Sequence, residues 1–388
     1  MSSVVIIGAG HAGTQVAVSL REMGFEGKIQ LIADEPHLPY QKPPLSKGFL
    51  NGKQTVENLL FRNEKFYDDN QIELVLGEEI VAIDVENKIV KAESDKSIPY
   101  DTLVLATGAR NRKLSIETKC EVLYLRDLTD AQRLKSALEN AQNIAIIGGG
   151  FIGLEVAASA AEAGKNVTVI EAQDRLMARV LPPVLSEIFL TRHQEMGVKV
   201  LLNTKLSSEE LSAFDLIVVG IGVLPNQELA AAAGLECHNG IVVNEYQMTS
   251  NSVIYAIGDC ANHFNVFADK RCRLESVQNA VDQAKIAASH ILGNAIPYHA
   301  VPWFWTNQYD LKLQMAGINT DYDNYAFRGD LGANRFSIFY YKNEKIVAAD
   351  SLNRPADHLA ARKLLQAGAT LSKEQVQDIN FKLTDVLN

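Results

Sequence analysis

Two glycine-rich turns, each delivered by a β-branched strand, constrain this 388-residue chain more than any other feature. The first is Gly8-Ala9-Gly10-His11-Ala12-Gly13, directly after the apolar run Val4 to Ile7. The second is Gly148-Gly149-Gly150-Phe151-Ile152-Gly153, directly after Ile144 to Ile147. Strand, glycine turn and amphipathic helix in that order form a dinucleotide site. The glycines allow a tight turn, close approach of a pyrophosphate and packing of the helix, whose N-terminus faces the phosphates. The duplication predicts an α/β chain with two Rossmann-like folds and two dinucleotides, one resident and one visiting.

Each turn has an acid downstream of it. The strand Ile29 to Ile32 leads into Asp34-Glu35, and Asp34 lies 21 positions after Gly13, near the ~20-residue spacing of a ribose-binding acid. Asp34 is the candidate for the first ribose, with Glu35 the alternate. In the second fold Glu171 ends the strand Val167 to Ile170. A carboxylate there accepts from both ribose hydroxyls and repels a 2′-phosphate, so NADH is expected over NADPH. Within the turns, His11, Ala12, Phe151 and Ile152 contribute backbone. A third motif, Thr249-Ser-Asn-Ser-Val-Ile-Tyr255-Ala-Ile-Gly258-Asp259, is a short apolar strand that ends by presenting a carboxylate beside a glycine.

Composition narrows the class. The length predicts two or three domains. A formal charge of −10 argues against nucleic acid or an anionic membrane as the main partner. No apolar stretch approaches the roughly 18 residues of a membrane span. The first strand starts almost at Met1, so no targeting peptide is expected and the chain reads as cytoplasmic. Cys120, Cys237, Cys260 and Cys272 show no C-x-x-C spacing, and no His lies at metal-ligand spacing from them. No metal site is expected, and Cys260 reads as a small buried apolar residue.

Two further segments carry a family resemblance: Pro39-Tyr40-Gln41-Lys42-Pro43-Pro44-Leu45-Ser46-Lys47 and Val301-Pro302-Trp303-Phe304-Trp305-Thr306-Asn307-Gln308-Tyr309. With the two fingerprints and Gly258-Asp259, they resemble the two-dinucleotide-binding flavoproteins of the glutathione reductase type. Within that group they are similar to the FAD-dependent ferredoxin reductases that serve oxygenases. The resemblance runs from Ser3 to about Gly368. It implies an FAD domain formed by 1–111 and 239–298, an NADH domain at 112–238, and a C-terminal α+β interface domain at 299–388. The thiols that disulfide reductases carry after the second strand are missing from Gln41 to Lys47, which removes thiol chemistry at the flavin. One departure concerns the NADH domain: the family's β-meander before Asp215 is replaced by the short polar segment Asn203 to Phe214.

The resemblance also implies site residues. For FAD these are Gly8, Gly10, Gly13, Lys47, Ile80, Thr107, Gly108, Arg126, Gly258, Asp259 and Val277, with Asp259 on the ribityl chain. Lys42 stands where the family usually has Arg and keeps the charge without the bidentate reach. For NADH they are Gly148, Gly150, Gly153, Glu171, Gly222 in the turn Gly220 to Asn226, and Arg179 on the pyrophosphate, with Arg175 as its substitute. Lys47 and Glu155 are expected to approach flavin N5 from the two domains; a plain interdomain ion pair is the competing and compatible reading. Trp303, Trp305 and Asn307 share one face of a strand, and Trp305 is the candidate beside the flavin.

The implied activity is transfer of a hydride from NADH to FAD, then of single electrons to a [2Fe–2S] ferredoxin, Rieske-type or vertebrate-type, that feeds an oxygenase. Lys42, Arg62, Lys312 and Arg328 are candidates for the basic docking patch. The state is expected to be monomer or homodimer. The competing readings are an NADH oxidase or quinone reductase, and a redox-sensing interaction protein similar to apoptosis-inducing factor.

Overall fold

The computed structural model describes residues 2–115 and 118–387. Each glycine turn sits at the carboxyl edge of its own five-stranded parallel sheet. The first sheet has the order Ile254–Ala256, Thr102–Leu105, Ser3–Ile7, Lys28–Ala33, Ile72–Leu76. The second has the order Lys199–Leu201, Asn166–Ile170, Asn143–Ile147, Leu216–Val219, Glu121–Leu123. Central strands of parallel sheets are covered on both faces. Accordingly Val4, Val5, Ile6, Ile144, Ala145 and Ile146 are all buried.

The run Ile72 to Leu76 reads in sequence as the start of a meander, but the structure places it as the parallel edge of the first sheet. The helix Glu64–Asp69 precedes it and supplies the crossover that a parallel return needs. The antiparallel layer proper comprises Ile80–Asp84, Ile89–Ala92 and Ser97–Pro99. In the second fold, Asn203 to Phe214 contains one helical turn, Ser208–Leu211, closed by a Ser207/Glu210 capping box; no strand lies there.

The chain passes between the two folds through a two-stranded ribbon, Ala109–Asn111 against Val223–Pro225. Reciprocal hydrogen bonds lock its base: Thr107 Oγ1 donates to the Asn226 carbonyl at 2.7 Å, and Asn226 Nδ2 donates to the Thr107 carbonyl at 2.8 Å. The C-terminal unit is a five-stranded antiparallel sheet, in the order Trp303–Gln308, Leu311–Gly317, Lys345–Leu352, Arg335–Lys342, Asn324–Asp330. One face carries Leu311, Leu313, Ile338, Tyr340 and Leu352 into the core of the second fold. The other face, with Ala349 and Phe339, packs under the helix Pro355–Ala367.

Beyond that helix the chain adds a second short one, Lys373–Gln377, and a 3₁₀ turn, Leu383–Leu387. Arg328 fixes this tail. Its guanidinium donates to the carbonyls of Val376, Asp378, Ile379 and Phe381, and the residue is 5 % exposed. That corrects its placement in a docking patch: a guanidinium consumed by four carbonyls is structural. No helix among the described residues is long and apolar enough to cross a membrane.

Candidate active site

The first cradle is built by steric exclusion. A Cβ on Gly13 would stand 1.8 Å from the Gly8 carbonyl oxygen, and one on Gly8, at φ +103°, would stand 2.3 Å from the Ala106 carbonyl oxygen. Turn, helix and neighbouring strand therefore touch through backbone alone. Gly10 differs, because a Cβ there meets nothing within 4 Å. Gly10 also caps the helix His11–Glu22 without any side-chain acceptor, and the first turn carries no acid. Open space above free helix N–H groups suits an anionic phosphate. The second cradle repeats this. A Cβ on Gly153 would lie 2.3 Å from the Gly148 carbonyl oxygen, whereas at Gly150 the nearest atom is 3.9 Å away, and Gly150 is likewise an uncapped N-cap.

The ribose acids are not equivalent in the two folds. Gly8 N–H donates to the Ile32 carbonyl and Gly148 N–H to the Ile170 carbonyl. The counterpart of Glu171 is thus Ala33, with Asp34 one step further on. Asp34 is exposed, whereas Glu35 accepts from Lys42 Nζ at 2.9 Å and from the Tyr40 hydroxyl. Burial pushes the Glu35 carboxyl up, but Lys42 and Tyr40 more than reverse this and hold it below the usual range. Glu171 braces its own turn: Oε2 accepts the Gly149 N–H at 2.6 Å and Oε1 the Gln173 N–H at 2.8 Å.

Around the first cradle, Arg126 Nη2 donates to Asp259 Oδ2 at 2.9 Å. Thr107 and Gly108 adjoin this pair, since a Cβ on Gly108 would lie 3.4 Å from the same Arg126 nitrogen. Gly258, at φ +77°, abuts Ala12. Ile80 is buried among Ile7 and Ile32, and Val277 opens a helix capped by Ser276. His11 packs edge-on against Phe61. Burial, opposed by Asp259 and aided by Lys42, lowers its pKa to about 4, so the ring is neutral near pH 7.

The second cradle opens into a cleft of about 990 Å³ between the second fold and the C-terminal sheet. Gly148 to Phe151, Glu171 and Arg179 line one wall; Trp303, Phe304, Met315 and Asp350 line the other. Arg179 reaches Gly222, with Nη2 3.4 Å from where a Cβ there would stand, while Arg175 turns to the Ala178 carbonyl. Ile152 is 42 % exposed, whereas Phe151 packs on Phe304 with ring centroids 4.9 Å apart.

The two folds meet at Lys47 and Glu155. Lys47 Nζ and Ser46 Oγ each donate to Glu155 Oε2 at 2.6 Å, and Thr306 Oγ1 donates to Oε1 at 2.7 Å. Glu155 is 5 % exposed. Trp305 is not part of this group. It projects from the opposite face of its strand, half-buried, 5.4 Å from the Trp303 ring. Sequence reasoning missed Ser46, Thr306 and Gln308 as partners of this junction. The two tryptophans drew attention to one face of their strand, and the polar alternation on its other face was the available signal.

This arrangement, two dinucleotide cradles joined at a buried ion pair and closed by a third domain, defines a two-dinucleotide flavoprotein oxidoreductase. Residues 2–284 match the family model described as pyridine nucleotide-disulphide oxidoreductase, and residues 303–387 match one described as reductase C-terminal. The chain belongs to the pyridine nucleotide-disulphide oxidoreductase family, in its ferredoxin-reductase branch, and uses FAD and NAD(P)H. It is similar to rhodocoxin reductase of Rhodococcus erythropolis, 45 % identical over 98 % of this chain and 93 % of that protein. Among solved structures it resembles a ferredoxin reductase from Rhodopseudomonas palustris, with TM-score 0.94 and 42 % identity over 99 % of each chain. It also resembles the reductase in the covalent putidaredoxin reductase–putidaredoxin complex, with TM-score 0.94 and 36 % identity over 100 % of this chain and 98 % of that one.

Proposed function

We propose that this flavoprotein carries electrons from NADH to a [2Fe–2S] ferredoxin that supplies an oxygenase, in the cytoplasm. The observation that carries the reading is the junction of Lys47 and Glu155 at 2.6 Å, where the segment Pro39 to Lys47 of the first fold meets the helix Phe151–Glu162 that the second glycine turn opens. FAD, when bound, accepts a hydride and releases electrons one at a time; the protein supplies binding, orientation and electrostatics.

In this reading Gly8, Gly10 and Gly13 hold the FAD pyrophosphate with the free N–H groups of the helix His11–Glu22. Asp34 and Glu35 serve the adenosine side, Arg126 and Asp259 the ribityl side, with Thr107, Gly108, Ile80 and Val277 lining the pocket. Gly148, Gly150 and Gly153 hold the NADH pyrophosphate, assisted by Arg179. Glu171, already anchored to Gly149, turns its remaining acceptor capacity to the ribose and disfavours a 2′-phosphate. Lys47 places a cation where charge develops on flavin reduction, and Glu155 fixes that cation.

For the partner, the exposed Lys312, opposite Asn307 across the sheet, and Arg362, 4.6 Å over the Trp303 ring, give positive charge near the tryptophans. That suits an acidic iron–sulfur protein. The test is reduction of cytochrome c by the FAD-loaded enzyme with NADH or NADPH, with and without a [2Fe–2S] ferredoxin. Strong stimulation by ferredoxin with NADH, and a much smaller rate with NADPH, is expected. Fast oxygen consumption that ferredoxin leaves unchanged would favour an oxidase instead.

A further inference from the structure

The strand Trp303–Gln308 has two faces, and the one without tryptophans leads into the centre of the molecule. Phe304, Thr306 and Gln308 point together toward the second fold. Thr306, Gln308 and His193 are each 0–1 % exposed. Thr306 Oγ1 donates to Glu155 Oε1 at 2.7 Å, Gln308 Nε2 lies 3.2 Å from Thr306 Oγ1, and His193 Nε2 lies 2.9 Å from Gln308 Oε1.

The direction of every bond in this chain is fixed by chemistry. A carboxylate only accepts, so the single Thr306 proton goes to Glu155. Thr306 must then accept from the Gln308 amide, which turns the Gln308 carbonyl to His193. His193 is therefore the Nε2–H tautomer, and burial lowers its pKa, consistent with a neutral ring. Its Nδ1 has no partner. The result is one-way: His193 to Gln308 to Thr306 to Glu155, which receives Lys47 and Ser46 on its other oxygen. The C-terminal domain contributes the two central links, while the second fold holds both ends.

We propose that Thr306, Gln308 and His193 are positioning residues. They hold the Glu155 carboxylate in the one orientation that presents Lys47 to the FAD pocket, so that the C-terminal domain sets the electrostatics of the flavin as well as closing the cleft. This rests on the reading of Lys47 and Glu155 as flavin-facing. Without Thr306, Oε1 loses its hydrogen-bond donor and the carboxyl is held through Oε2 alone, by Ser46 and Lys47, so Lys47 is anchored to a carboxylate that can turn about that one oxygen.

Thr306→Val removes the proton and keeps the shape; Thr306→Ser keeps the proton. Gln308→Met cuts the chain one link further out. The FAD-loaded variants are followed by spectroelectrochemical titration of the flavin, by stopped-flow reduction with NADH, and by thermal unfolding. Thr306→Val should shift the flavin midpoint potential and lower the limiting rate of flavin reduction about tenfold, with the apparent Kd for NADH nearly unchanged and the Tm lowered, because the buried Gln308 amide loses its acceptor. Thr306→Ser should restore both, and Gln308→Met should show a smaller change of the same sign. A plain structural tie between domains would move Tm and leave the potential alone, which overturns the proposal. Lys47→Met and Glu155→Gln separate the two levels. If they change potential and rate while Thr306→Val does not, the chain is not a positioning device. If they too are silent, the flavin-facing reading beneath it falls as well.

Discussion

Arg126 grips Asp259 at 2.9 Å across 133 positions of sequence, so the carboxylate beside the first cradle is oriented by a residue of the second fold, lying between its strand Glu121–Leu123 and the helix Leu128–Asn140. The pair is partly exposed, at 25 % and 21 % for the two side chains, and as an ion pair it adds little to stability. Its value is positional. Arg126→Met should leave the fold intact and weaken FAD retention about tenfold, the scale of one well-placed charged hydrogen bond. FAD released on dilution, followed by the recovery of free-flavin fluorescence, measures it; unchanged retention would remove Arg126 from the site.

The fingerprint glycines should separate into two kinds. Gly13→Ala brings a methyl within 1.8 Å of backbone and Gly153→Ala within 2.3 Å, so both should fail to fold or should lose several kcal/mol. Gly10→Ala and Gly150→Ala meet no close protein atom. They should give stable proteins that have lost FAD and NADH binding respectively, because the space they fill is the ligand's. Circular dichroism reads folding, and the visible flavin band and NADH titration read binding. Gly10→Ala with full flavin content would contradict the assignment of the first cradle.

Most of this architecture was legible because its determinants are local. The strand–turn–helix context of Gly8 to Gly13 and Gly148 to Gly153 and the polar stub from Asn203 to Phe214 each reveal themselves within a dozen residues. What escaped depends on partners far away in sequence. Ile72 to Leu76 looks like any short apolar strand, and only the preceding crossover helix makes it parallel. Arg328 looks like a surface charge until four carbonyls from a tail some fifty residues later converge on it. Thr306 and Gln308 were overshadowed by aromatic neighbours because the face a strand turns to its core is decided by packing.

Asp350 supplies a pH test. It is 2 % exposed, accepts from Tyr340 at 2.6 Å and Asn319 at 3.2 Å, and faces the cleft. Burial pushes its pKa from 3.8 to about 7, although both hydrogen bonds oppose this. An acid whose folded pKa lies above its unfolded value contributes full stability below about 3.8 and loses it as pH rises through 7. Asp350→Asn keeps an acceptor for Tyr340 and removes the titration. It should raise the Tm by several degrees at pH 8, where each unit of separation is worth about 1.4 kcal/mol, and by much less near pH 4. A Tm difference independent of pH would show that Asp350 is not titrating in this window.

Docking of the ferredoxin is the most accessible prediction, because the structure has narrowed its candidates. Arg328 is buried and Lys42 is committed to Glu35, while Arg62 stays exposed beside Phe66, on the helix that leads into the first sheet and apart from the C-terminal one. Of the sequence candidates Lys312 lies on the C-terminal sheet, and the structure adds Arg362 from its covering helix, the two flanking the half-buried Trp303 and Trp305. Reversing both charges, Lys312→Glu with Arg362→Glu, should raise the KM for an acidic [2Fe–2S] ferredoxin about tenfold or more at low ionic strength, with the gap to wild type shrinking as salt screens the approach. Reduction of ferricyanide by NADH should be unchanged, since that small acceptor needs no such surface. A salt-independent loss, or an equal loss with ferricyanide, would mean that the substitutions disturb the sheet and that the partner docks on another face.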